Sequence, residues 1–168
     1  MTTTPETAAT ILARFDHAWA ALDTTVKGLD ERQLTAVHDP AGWSAKDHLM
    51  HVALWEQALL AKVDGRPRHE ALGIDEATDR SPDDDTINAA IFARTRHRPL
   101  KEVLDTLRST HAMTRARLAA LADGRLPAST TPDAHTASTL LADVPAYTEH
   151  YEQHHTWIGE LVGRTAPR

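Results

Sequence analysis

Cysteine is absent from the 168-residue sequence. That excludes disulfides, thiolate metal ligands and cysteine nucleophiles together, and it suits a reducing compartment. Aromatic residues are scarce, with two Phe and two Tyr, so the core must be built mainly from Leu, Ala, Val and Ile. The four tryptophans, Trp19, Trp43, Trp55 and Trp157, are then expected as large anchors within it. No apolar run approaches the roughly 18 residues that a membrane span needs. Basic clusters are missing and the net charge is −6, which argues against nucleic acid as a partner, because phosphate binding needs Lys and Arg patches. The opening MTTTPETAAT lacks the basic and apolar regions of a signal peptide, so a cytoplasmic protein is expected. Alternating strand patterns, internal repeats, glycine-rich phosphate loops, nucleophile elbows and H-E-x-x-H motifs are all missing.

What the sequence has instead is helical periodicity and histidine, of which there are 11. A first helix is expected over about 5–28, with Ile11, Leu12, Phe15, Trp19, Leu22 and Val26 in one stripe and with Pro5 and Gly28 at its ends. A short connector leads to Ser44, an N-cap with Asp47 three residues on, which opens a helix to about Val63. Residues 64–85 form a polar loop of about 20 residues, long enough to carry function or a short helix. Asp85 or Thr86 is expected to cap a short helix bearing Ile87, Ile91 and Phe92. Pro99 starts another over 99–122, with Leu100, Val103, Leu104, Leu107, His111, Leu118 and Leu121 along one side and Gly124 beyond its end. After a second loop, GRLPASTTPDAHT, the last helix runs over about 139–163, with Pro145 starting its regular part or kinking it. The reading is a single all-α four-helix bundle over 1–163, with short extra helices in its loops and a loose tail over 164–168.

Winding the helices places the histidines. In the last one, His150 and His154 fall within the apolar stripe of Tyr147, Tyr151, Trp157, Ile158 and Leu161, and His155 at its edge. In the second, His51 shares a face with Val52, Trp55 and Leu59. A buried imidazole without partners costs about 1–3 kcal/mol. His150 and His154 are one turn apart, their Cβ atoms roughly 5–6 Å from each other, so both rings can reach one ion, and His51 is the natural third ligand. Zinc, nickel and iron(II) all accept imidazole, and the pattern does not choose among them. The plain alternative for any one of these residues is a satisfied core histidine. His48 reads as a rim residue or a support for a ligand. Asp47 reads as a cap or as an orienting partner for His51. His111 reads as a core-edge residue. Trp43 and Trp55 can wall a pocket.

The stretch GWSAKDHLMHVALWE (42–56) resembles the signature of the DinB-like superfamily: Trp, Ser or Thr, then Asp, then His four residues on, then Trp. The end HYEQHHTWI resembles its closing H-x3-H followed by Ile, and INAAIFARTRHRPLKEVLDTLRSTH (87–111) is similar to the ClbS/DfsB subgroup. The resemblance implies an up-down-down-up four-helix bundle, and many such proteins carry a divalent metal on three histidines at the positions of His51, His150 and His154. It also implies a range of activities. Some members are transferases or isomerases that use a low-molecular-weight thiol. The ClbS-like branch includes self-resistance proteins that bind or hydrolyse DNA-alkylating natural products. Three functions are therefore set against each other. The first is a metal-dependent hydrolase or thiol transferase acting on a small electrophilic metabolite. The second is a metal-free resistance protein with His51, Glu56 or Tyr147 as candidate proton-transfer groups. The third is a non-catalytic module that forms a homodimer. The expected partner is a small-molecule substrate.

Overall fold

A computed structural model of the chain describes residues 6–125 and 136–163. Pro5, most of the second loop and the tail at 164–168 lie outside the described residues. Among the described residues eight helices follow one another: α1 (Ala8–Lys27), α2 (Glu31–Thr35), α3 (Ala45–Val63), α4 (Arg68–Leu72), α5 (Glu76–Asp79), α6 (Asp84–Thr95), α7 (Leu100–Ala122) and α8 (Ala137–Gly163). Among the described residues there is no strand, only an isolated bridge between His38 and Ser44. None of these helices is long and apolar enough to cross a membrane.

The four long helices, α1, α3, α7 and α8, form the body. α1 packs chiefly on α8 and α3 on α7, while α3 also meets α8. Side-chain contacts give their directions. Arg115 binds Asp16 at 2.5 Å and Arg108 binds Asp23 at 3.4 Å, so α7 and α1 run oppositely. Lys46 Nζ donates to the Arg98 carbonyl at 3.1 Å and Gln57 donates to Thr110 at 3.1 Å, so α3 and α7 run together. Lys62 meets Asp143 at 2.5 Å while His51 meets His150, so α3 and α8 are antiparallel.

α3 is the central element. Fourteen of its 19 residues are buried, including Asp47, His48, His51 and Glu56. Its start is held by a reciprocal cap: Asp47 N–H donates to Ser44 Oγ at 3.3 Å, and Ser44 N–H donates to Asp47 Oδ2 at 2.9 Å. Asp47 therefore serves as the cap and does not orient His51. The buried apolar face of α1 includes Phe15 and Leu22, both fully covered.

Local chemistry accounts for the departures from the sequence reading. The connector after α1 contains α2, because Asp30 and Gln33 form a second reciprocal cap. The 64–85 loop holds α4 and α5. α4 ends at Gly73 with φ +66, where Arg94 donates to the Leu72 carbonyl at 2.7 Å and a Cβ would lie 2.4 Å from its guanidinium carbon. α6 begins at Asp84 because Asp83 is its cap. Thr7 caps α1, Pro99 sits just before α7, and Pro145 lies inside α8, where it cannot donate to the carbonyl four residues back. Trp19 and Trp55 pack against the core, as expected, whereas Trp43 and Trp157 do not. Trp19, Trp43 and Trp55 are half-buried, and Trp157 is 48% exposed, because its side of α8 faces a cavity mouth and not another helix.

Ser44 is 1% exposed, and loss of its hydroxyl removes one of the two donors to the buried Asp47 carboxylate and uncaps an α3 N–H. Ser44→Ala is expected to cost about 1–2 kcal/mol, read as a fall in the urea midpoint at constant m-value.

Candidate metal centre

The antiparallel crossing of α3 and α8 brings three imidazoles to one point. His51 Nε2 lies 2.9 Å from His150 Nε2, and His154 Nε2 lies 3.0 Å from the same atom. The ligating nitrogens all lie within 4.8 Å of one another. One ion with bonds of about 2.0–2.1 Å holds two nitrogens roughly 2.9–3.4 Å apart, for angles from about 90° to 109°. The two separations fall at the short end of that range.

The electrostatics suit lone-pair donors. Burial, reinforced by the neighbouring His150 and His48, pushes His51 down to about 3. Burial alone brings His150 down to about 4. Burial and the other three histidines hold His154 well below its ordinary range. All three rings are therefore neutral at pH 7. Without an ion, the trio is satisfied only if His51 and His154 both carry protons on Nε2 and His150 carries none. Even then, His51 Nδ1 is buried with no hydrogen-bond partner. Three neutral nitrogens on helices thus fit a divalent cation, and among the described residues no fourth His, Asp or Glu groups with them.

The cluster forms part of the wall of a cavity of about 810 Å3, within the range of small-molecule sites. Trp43, Trp55, Tyr147 and Trp157 supply its apolar surface. Two of these rings are fixed: Trp43 stacks on Phe92 at 4.8 Å, and Trp55 Nε1–H donates to Asn88 at 3.1 Å. Tyr147 is pushed up to about 12 by burial and by Asp143, so it is a phenol and a proton donor at neutral pH. Asp39, Asp84, Asp85, Asp143 and Glu149 also line the cavity, against the cation Lys62, which Asp143 already holds at 2.5 Å.

Not every expected residue arrives here. His51, His150 and His154 converge, and Tyr147 shares their cavity, but Glu56 does not line it. Glu56 is 2% exposed, and its Oε1 lies 3.4 Å from His111 Nδ1. That nitrogen is also 3.0 Å from Tyr151 Oη, and the His111 ring stacks on Trp19 at 3.9 Å. Glu56, His111 and Tyr151 form a separate buried cluster. His155 bonds Thr25 Oγ1 at 2.9 Å and stays outside the centre. His48 is 7% exposed and is no rim residue: its Nδ1 lies 3.2 Å from His154 Nδ1 and its Nε2 lies 3.3 Å from Asp39 Oδ2. Asp39 was not read as a site residue in the sequence. The available signal was a turn-forming stretch, HDPAG, directly ahead of the α3 cap.

These features define an all-helical protein with a tri-histidine cluster, His51 and His154 buried and His150 half-buried, beside a cavity. Residues 14–158 match the DinB superfamily, and the chain belongs to it. The match is to the superfamily as a whole. Searches of curated proteins and of solved structures returned no match.

The depressed histidines make the fold acid-sensitive. In the unfolded chain each imidazole takes its proton near 6.5, whereas folded His51 and His150 resist until about 3 and about 4. Between those values the unfolded state binds more protons, so stability falls as pH drops below 6.5 and is unaffected by these groups above it. Urea midpoints of the metal-free protein are expected to drop between pH 7 and pH 4. The drop should be smaller in a His51→Leu/His154→Leu double variant; equal slopes in the two proteins would contradict the assignment.

Proposed function

We propose that this protein is a metal-dependent enzyme that binds one divalent ion through His51, His150 and His154 and acts on a small electrophilic molecule held in the adjacent cavity. The observation that carries this reading is the meeting of three neutral Nε2 atoms at the cavity wall. A divalent ion there would polarise an electrophilic oxygen or acidify a water or thiol. Around it, Tyr147 holds a proton at Oη within the same cavity, ready to be donated to a departing or developing oxygen anion. Trp43 and Trp55 exclude water from the substrate's apolar body.

The lining charges narrow the substrate. Apart from the ion itself, the described lining sets five carboxylates against one paired lysine, so the aromatic rings and carboxylates favour a substrate whose body is neutral or positively charged and whose electron-rich group is directed at the ion. The metal-free resistance reading is weaker, because Glu56, one of its three candidate proton-transfer groups, points to His111 and Tyr151.

Elemental analysis of untagged protein is expected to give about one divalent ion per chain, and any of His51→Ala, His150→Ala or His154→Ala to remove it. On a panel of epoxides and activated esters, turnover should stop on chelation and return with the metal. Tyr147→Phe should lower kcat by about 100-fold with metal content unchanged. Ring opening that persists in EDTA would favour the metal-free alternative.

A further inference from the structure

The turn before α3 carries a device that the tri-histidine reading does not include. Pro40 and Ala41 occupy its corner, Gly42 N–H closes it on the Asp39 carbonyl at 3.0 Å, and Gly42 takes φ +86, where a side chain is strained. The turn fixes the Asp39 carboxylate at both oxygens. Oδ1 accepts from Trp43 N–H at 2.9 Å, and Oδ2 faces His48 Nε2 at 3.3 Å. Behind that ring, His48 Nδ1 faces His154 Nδ1 at 3.2 Å.

We infer that Asp39 and His48 are positioning residues that hold His154 as its Nδ1–H tautomer, so that its Nε2 lone pair points at the metal; the inference rests on the metal-binding role proposed above. A carboxylate only accepts, so a neutral His48 keeps its single proton on Nε2, toward Asp39. His48 Nδ1 is then an acceptor and requires the proton of His154 on Nδ1. His154 Nε2 is left bare at the centre of the trio, 3.0 Å from His150 Nε2. This removes the one proton arrangement that would satisfy the three rings without an ion. The carboxylate thus sets the state of a metal ligand through an intervening imidazole, one ring further out than a direct carboxylate–histidine pair. His51 has no such support, since its Nδ1 lacks a partner, so the preparation is confined to the α8 side.

Asp39→Asn tests this with almost no change of shape. Trp43 N–H is a fixed donor and claims the amide oxygen, which turns the NH2 group toward His48 Nε2. His48 must then accept there and donate from Nδ1, and the His154 proton moves to Nε2, where it blocks the ion. Two readouts are needed: zinc affinity by chelator competition, and imidazole 15N correlations of His154 in metal-free protein. The wild type should show His154 protonated on Nδ1. Asp39→Asn should show it on Nε2 and lose roughly 10–100-fold in affinity, with little change in the metal-free melting temperature. His48→Phe, which removes the relay while keeping a ring in the space, should also weaken zinc binding. Wild-type His154 protonated on Nε2, or zinc affinity unchanged within about threefold in both variants, overturns the inference. Absence of zinc binding in the wild type would instead sink the proposed function, and the His154 tautomer would still decide the relay.

Discussion

An imidazole nitrogen buried between helices must find a partner, or the fold bears a cost of about 1–3 kcal/mol for each one left bare. That constraint governs the region where α3 meets α8. Four histidines, His48, His51, His150 and His154, sit in one run of contacts, and burial keeps each below its ordinary basicity. Packing alone would be better served by leucine at such positions. The arrangement makes physical sense once a shared cation supplies what the rings cannot supply to one another.

The rest of the scaffold is built to keep those rings in place. α3 is buried along most of its length and begins at a reciprocal Ser44–Asp47 cap, so its rotation and its starting point are both set. α8 is held against it by Lys62–Asp143 toward one end and by the histidine contacts along its middle. α1 backs α8 with Phe15, which lies 5.2 Å from the Tyr151 ring. Rigid helices on both sides give a metal-binding group the positional accuracy that loops do not. The second buried cluster, Glu56, His111 and Tyr151, lies apart from the cavity. There burial, reinforced by the Glu56 carboxylate, holds the Tyr151 phenol well above its usual range.

Much of this was legible in the sequence, and the parts that were not share a cause. The long helices follow from three- and four-residue spacing, and the Ser44 cap from a local pair of residues. His51, His150 and His154 could be selected because each belongs to a regular stripe whose facing side is set by its own helix. Periodicity, however, says which side a residue is on and not what lies opposite. Trp157 belongs to the apolar stripe of α8 yet meets a cavity mouth, so it stays 48% exposed. Glu56 lies close to His51 along the chain, but five residues turn it by about 140° on a helix, away from the cavity. The link from Asp39 through His48 to His154 spans more than 100 positions and depends on how one turn folds against α3, which no local pattern encodes.

The central claim is that three imidazoles from two helices share one ion. A crystal structure of the metal-loaded protein, with anomalous diffraction collected at the absorption edge of the bound metal, tests it most directly. The account predicts a single strong anomalous peak within about 2.0–2.2 Å of the Nε2 atoms of His51, His150 and His154, open toward the cavity. A peak bound elsewhere, or well-ordered rings hydrogen-bonded to one another with no peak between them, would contradict it.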